Sequence, residues 1–248
     1  MSDPNTATLY RMVMSDHLCP YGLKTRALLE RHGFEVDDHR LTSREEIDEF
    51  KREHDLKTTP QVWIGEQRIG GYEAVRRHLG KRVLEEGEIT YRPVLALFAV
   101  ALAMAAATSL ATIGALTVQT FEWFVAMAMT LLALQKLQDV ESFSTMFLNY
   151  DLLAQRWVRY GYVYPYAEAA AGVLMIAGAL TWIAAPIALF IGTIGAVSVF
   201  KAVYVDRREL KCACVGGSSN VPLGFVSLTE NLMMMFMGVW MPLRFGWG

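Results

Sequence analysis

Three cysteines, at positions 19, 212 and 214, are the residues of this chain best suited to covalent chemistry. A thiolate attacks disulfide sulfur or ligates soft metal ions, whereas a buried thiol is inert, so the surroundings must choose. Cys19 lies directly after a segment with strand character and directly before one with helix character. Unpaired backbone N–H groups and the helix dipole favour a thiolate at such a helix start. Pro20 suits the first helical turn, where its missing N–H is not needed. His17, two residues ahead, is a candidate to assist the thiolate, although strand-to-helix loops often carry such a residue without function.

The second group is Glu209-Leu210-Lys211-Cys212-Ala213-Cys214-Val215-Gly216-Gly217. A CxC pair can close a small, strained disulfide, which reduces readily and suits exchange better than stabilisation. Nearby Arg207, Arg208 and Lys211 favour thiolates. Capture of a thiophilic ion such as Cu(I) is the rival reading of the pair, though no third Cys or suitably placed His follows, and inert thiols are the bland one.

The elements that must position these thiols fall into two halves. The charged residues concentrate before Pro93, and the remainder runs in Ala, Leu, Met, Phe and Val. Over the first half, Thr8–Val13 reads as a strand, Leu23–His32 as a helix ending at Gly33, and Phe34–His39 as a second strand. Ser43 with Glu46 opens a helix through His54 by a capping-box pattern. Val62-Trp63-Ile64, Gly65-Glu66 and Arg68-Ile69 make a hairpin, and Tyr72–Leu79 a closing helix. The order β-α-β-α-β-β-α predicts a small mixed sheet covered by helices. Residues 81–92 are a charged connector.

Beyond it, runs near the ~20 residues needed to cross hydrocarbon predict an all-α bundle of four to five transmembrane helices. The spans are expected at about residues 93–116, 121–138, 163–184 and 186–205. A fifth apolar run near residues 222–243 is interrupted by Glu230 and Asn231. Lys and Arg in short loops favour the cytoplasmic face. Arg82 and Arg92, then Lys136, Arg156 and Arg159, then Arg207, Arg208 and Lys211 mark one side, whereas Thr117–Glu122 and Trp182–Pro186 hold no Lys or Arg. With a polar N-terminus that has no signal-peptide core, this puts the first domain and the CxC segment on the cytoplasmic side of what is expected to be a bacterial inner membrane. Glu168 and Glu230 lie inside apolar stretches, where they can join helices or relay a proton. Lys136, Asp139 and Lys201 are read as snorkelling or locally paired near helix ends. The Met233–Met237 run spreads around a helix, as packing residues do, and Gly172, Gly178, Gly192 and Gly195 permit close helix contact. A net charge of -2 with no basic stripe gives no expectation of nucleic acid.

Cys19-Pro20-Tyr21-Gly22, Thr58-Thr59-Pro60-Gln61 and Gly70-Gly71-Tyr72-Glu73, in this order and spacing, resemble the three signature segments of glutaredoxins, over roughly residues 7–80. The resemblance implies an α/β thioredoxin-like domain in which the cysteine attacks glutathione mixed disulfides. It further implies a cis peptide before Pro60, and a glutathione groove lined by Thr59, Pro60, Gly71, Tyr72 and Glu73 beside Tyr21. Gly22 replaces the second cysteine of the dithiol form of the motif, implying a monothiol route. Asp16 stands where many glutaredoxins carry a lysine, and its charge opposes the thiolate. The second half, about residues 93–243, resembles the methylamine-utilisation protein E family within the wider DoxX-like group. That match rests on Lys211-Cys212-Ala213-Cys214-Val215-Gly216-Gly217, the following Pro222-Leu223-Gly224, and the helix pattern. It implies disulfide formation or processing in a partner.

The organisation expected is therefore a glutaredoxin-like domain at 1–80, a connector at 81–92 and a helical membrane domain at 93–248. Its expected activity is glutathione-dependent thiol–disulfide exchange between Cys19 and the Cys212/Cys214 pair. Glutathione is the co-substrate, lipid the surroundings, and a redox partner protein or small disulfide the further substrate. The alternative is thiol-based handling or transport of Cu- or Hg-type ions by the same three cysteines.

Overall fold

A computed structural model describes residues 5–14, 17–83, 85, 88–210, 212 and 221–246. Asp16, Lys211, Cys214, Val215, Gly216 and Gly217, each singled out in the sequence, lie outside the described residues. The chain divides into two compact units, Met1–Glu86 and Gly87–Gly248.

The first unit runs β1 (Thr6–Met12), α1 (Pro20–Arg31), β2 (Glu35–Leu41), α2 (Arg44–Glu53), β3 (Gln61–Ile64), β4 (Gln67–Gly70) and α3 (Tyr72–His78), the order read from the sequence. Strand order is β2-β1-β3-β4, with β1 parallel to β2 and antiparallel to β3. The parallel pair follows from the α1 crossover, and the antiparallel one from the β3–β4 hairpin folding back. On one face Ala7, Leu9 and Val62 pack with Leu29 of α1 and Val75 of α3. On the other, Leu41, Ile47, Phe50 and Leu56 pack with Tyr10 and Trp63 beneath α2. Local signals set the helix ends. Ser43 Oγ accepts the Glu46 N–H at 3.1 Å, and Gly33, at φ +83°, takes the left-handed conformation just past α1.

The second unit is helical: α4 (Arg92–Thr112), α5 (Val118–Leu137), α6 (Val140–Leu148), α7 (Val158–Ala177), α8 (Thr181–Phe200) and α9 (Phe225–Phe245). A π-helical turn, Lys201–Val205, extends α8. Among the described residues, three helices, α4, α5 and extended α8, are long and apolar enough to cross a membrane. The expected spans at residues 163–184 and 186–205 are displaced, because Gly178 (φ +62°) and Leu180 (φ +51°) turn the chain before α8 begins. Trp182–Pro186 is consequently helix rather than loop, and the Lys- and Arg-free turn is 178–180. Thr117 and Thr120 form a capping box, so α5 likewise starts inside the segment read as the first loop. Short α6, starting where Asp139 accepts the Ser142 N–H, had no separate expectation. The fifth apolar run is one continuous helix through Glu230 and Asn231.

Small residues bring the helices together as expected at three of the four glycines. A Cβ at Gly172 would strike Thr130 of α5, and one at Gly192 or Gly195 would strike Asn231 or Met234 of α9. Gly178 instead caps α7. Met234 and Met237 are core, whereas Met233 is partly exposed.

Candidate functional site

Cys19 is the N-cap residue of α1, with Pro20 at the first helical position. Its N–H donates to Met12 O at 3.4 Å and its carbonyl accepts the Leu23 N–H at 3.2 Å, which fixes the thiol where β1 hands over to the helix. The thiol is free and only 6% exposed. His17 is exposed, its backbone carbonyl accepting the Met14 N–H.

The other residues expected around Cys19 come from three separate chain segments. The Thr59–Pro60 peptide is cis, as the glutaredoxin resemblance implies. Gly71 is the N-cap of α3 and lies so close to this turn that an added Cβ would sit 3.4 Å from Pro60 O. A glycine keeps that approach open. Tyr72 and Glu73 fill the first turn of α3, and the Tyr72 ring lies 6.0 Å from that of Tyr21, the second residue of α1. Tyr21 is exposed and Thr59 half-buried, so the rings and the cis turn form a surface continuous with the start of α1.

Two residues to which the sequence reading gives no role, one of them inside the Thr58–Gln61 segment, support these elements. Gln61 donates its amide N–H to Thr58 O at 2.9 Å and accepts from Arg68 Nε at 3.3 Å, tying the cis turn to β4. Arg11 lies under α1, 3% exposed, with Nε and Nη2 donating to both Asp38 oxygens at 2.6 and 2.7 Å. Hydrogen bonds from Arg11 hold the Asp38 carboxyl below the usual carboxylate range, against the opposing cost of burial.

In the second unit Cys212 is wholly buried, packed with Val94, Leu132 and Val221. Its N–H donates to Val221 O at 2.8 Å and the Leu223 N–H to Leu210 O at 2.7 Å, so both flanks of the CxC segment are pinned together. The Sγ lies 3.0 Å from Ser227 Oγ on α9, a partner no motif signalled. Arg208, expected to act on the thiols, instead donates to Asn149 O at 2.8 Å.

The largest correction concerns Lys136. It neither snorkels nor marks a loop: 2% exposed, it donates to Glu168 Oε1 and Oε2 at 2.8 and 2.6 Å and to Glu230 Oε1 at 2.6 Å. These bonds tie α5, α7 and α9 together and account for both intramembrane carboxylates. The Tyr164 ring lies 5.5 Å from the ammonium. Lys201 does pair locally, with Asp206 at 2.6 Å. A further ion pair, Arg244 to Glu122 at 2.8 Å, joins the end of α9 to the start of α5, and Trp240 Nε1 donates to the same carboxylate oxygen. Among the described residues, no group of three or more His, Cys, Asp or Glu could hold a metal ion.

Matches to known proteins fall on either side of the division between the two units. A family model described as Glutaredoxin matches residues 8–69. One described as Methylamine utilisation protein MauE matches residues 114–244, more than half of the chain. A glutaredoxin of Pseudomonas aeruginosa is 35% identical over 54 residues, covering 21% of this chain and 64% of that protein. The chain thus spans just under two thirds of that relative's length.

Proposed function

We propose a function that proceeds from membership: the chain belongs to the methylamine utilisation protein MauE family and carries a glutaredoxin-like domain ahead of the family's helices. It is an integral membrane protein, and its glutaredoxin homology supports thiol–disulfide oxidoreductase activity. Our reading is that Cys19 acts as a glutathione-dependent monothiol that reduces a disulfide between Cys212 and Cys214.

The observation that carries this reading is the position of Cys19. A free thiol caps α1 beside a surface built from Tyr21, Tyr72, Gly71 and the cis Thr59–Pro60 turn. Extended peptide backbone can lie along such a surface, with Thr59, Pro60, Gly71 and Glu73 offering backbone and charged groups to glutathione. In the second unit, the burial of Cys212 favours Cys214 as the sulfur attacked.

The exchange balances as follows. Cys19 thiolate attacks Cys214 sulfur, the Cys212–Cys214 bond breaks, and Cys212 leaves as a thiolate that the Ser227 hydroxyl can stabilise by donation. Glutathione thiolate attacks Cys19 sulfur and releases Cys214. A second glutathione takes the first from Cys19 as glutathione disulfide. The net change is one protein disulfide and two glutathiones to one dithiol and one glutathione disulfide. A partner protein or small disulfide feeds oxidising equivalents to the pair.

The reading also places both thiol sites on the cytoplasmic side of an inner membrane, which requires α7 to cross together with the three apolar helices α4, α5 and α8. Arg156, Arg159, Arg207 and Arg208 support this, as do the Lys- and Arg-free turns 113–117 and 178–180. Lys136 no longer counts toward it.

The test is reduction of the oxidised full-length protein in detergent by glutathione, with thiols at 212 and 214 counted by mass spectrometry. Reduction should proceed in the wild type and slow at least tenfold in Cys19→Ser. Equal rates would remove Cys19 from the route.

A further inference from the structure

Gly22 follows Cys19 by one helical turn, where a second thiol of the same domain would have to stand. Gly22 carries no thiol, and we infer that Arg11 closes this position to any side chain, so that a second thiol cannot be seated beside Cys19 without repacking β1 against α1.

The geometry is tight. Gly22 is buried against β1, and a Cβ on it would lie 2.8 Å from Arg11 Cβ, 3.1 Å from Cδ and 3.5 Å from Cγ. Carbon atoms do not approach to 2.8 Å without displacement, and the nearest of these is the one fixed to the strand backbone. β1 cannot yield, because it is an inner strand of the sheet, registered on β2 with Arg11 opposite Arg40 and on β3 with Tyr10 opposite Gln61. The far end cannot swing aside either. Its guanidinium is held by both oxygens of Asp38, which also accepts from Arg40 at 3.2 Å and lies 3.6 Å from Arg26 Nη1. Moving Arg11 would break a buried, bidentate ion pair.

The consequence deepens the function proposed above and rests on it only for the role of Cys19. When Cys19 thiolate attacks glutathione disulfide, one glutathione leaves as thiolate and the other stays on Cys19. A cysteine at position 22 would attack the Cys19 sulfur and release that second glutathione, leaving an internal disulfide. Gly22 carries no thiol, and with Arg11 in place none can be seated there, so the adduct waits for a thiol from elsewhere.

The test uses the full chain in detergent with Cys212→Ser and Cys214→Ser, treated with glutathione disulfide and weighed intact. The parent should gain one glutathione on Cys19. Gly22→Cys alone should keep glutathione adducts. Gly22→Cys combined with Arg11→Gly and Asp38→Asn, which removes every Arg11 side-chain atom facing position 22 and both charges of the pair, should convert to the internal disulfide and lose them. An internal disulfide forming as completely in Gly22→Cys alone overturns the inference. Thermal unfolding of Gly22→Ala gives a second readout that requires no redox chemistry. The substitution should lower the unfolding temperature when Arg11 is present and lower it much less in the Arg11→Gly/Asp38→Asn background, whereas an equal loss in both overturns the inference. No glutathione on Cys19 in the parent would instead contradict the redox role of Cys19, leaving the unfolding comparison to judge Arg11.

Discussion

The thiol of Cys212 sits 3.0 Å from the hydroxyl of Ser227, and both residues are closed off from solvent. A sulfur in that position is poorly placed to be attacked but well placed to leave, because the hydroxyl can donate to the thiolate as it forms. Ser227→Ala should therefore slow glutathione-driven reduction of the Cys212–Cys214 disulfide about tenfold, from loss of roughly 1.5 kcal/mol of charge-assisted hydrogen bonding. Ser227→Thr, which keeps the hydroxyl, should restore most of the rate. Equal rates in all three proteins would leave Ser227 a packing residue.

Tyr21 and Tyr72 bring the starts of α1 and α3 together at a ring separation of 6.0 Å. If their surface holds glutathione, Tyr72→Ala should raise KM for a glutathione mixed disulfide about five- to tenfold, near 1 kcal/mol of lost contact, with little change in kcat. Steady-state kinetics in detergent read this directly. A fall in kcat with unchanged KM would place Tyr72 outside the binding surface.

The Arg11–Asp38 pair makes the stability of the first unit depend on pH in a definite direction. Asp38 is held below its ordinary value when folded, so the unfolded chain binds the proton first as pH falls. The stabilisation is present above the unfolded value, about 3.9, and is lost as pH falls through the lower folded value. Denaturant unfolding of the wild type should fall toward that of Asp38→Asn across this window, with a constant gap between pH 5 and 7. A gap that widens on acidification would contradict the assignment.

Lys136 holds two buried carboxylates from two other helices. Lys136→Met should cost about 3–5 kcal/mol, because it removes the buried ammonium that both carboxylates bind. Adding Glu168→Gln and Glu230→Gln should recover part of the loss. Thermal unfolding in detergent measures both steps, and a neutral single substitution would show that the cluster does not hold the helices together.

What the sequence reveals and conceals follows from distance along the chain. Alternation, caps and turn residues act over a few positions, and they suffice for the seven elements around Cys19, whereas the meeting of Tyr21, Pro60, Gly71 and Tyr72 is implied only by the resemblance to glutaredoxins. Lys136 near the end of α5 looks like any snorkelling cation, because its partners lie 32 and 94 residues away. Ser227, fifteen residues from Cys212, is one more serine in an apolar run. Arg11 reads as a polar residue at a strand end until the sheet turns it under α1 and β2 supplies Asp38. The turn at Gly178 hides because apolar residues continue on both sides, and Leu180, which shares the left-handed conformation with Gly178, gives no sign of it in its residue type.

The relay between Cys19 and the CxC pair is tested most directly by trapping its intermediate. Full-length Cys212→Ser and Cys214→Ser proteins in detergent, exposed to limiting glutathione disulfide, are digested without reduction and their disulfides mapped by mass spectrometry. The predicted result is a Cys19–Cys214 link in Cys212→Ser, with at least tenfold less Cys19–Cys212 link in Cys214→Ser. Glutathione on every remaining cysteine, with no Cys19 link in either protein, would contradict the relay.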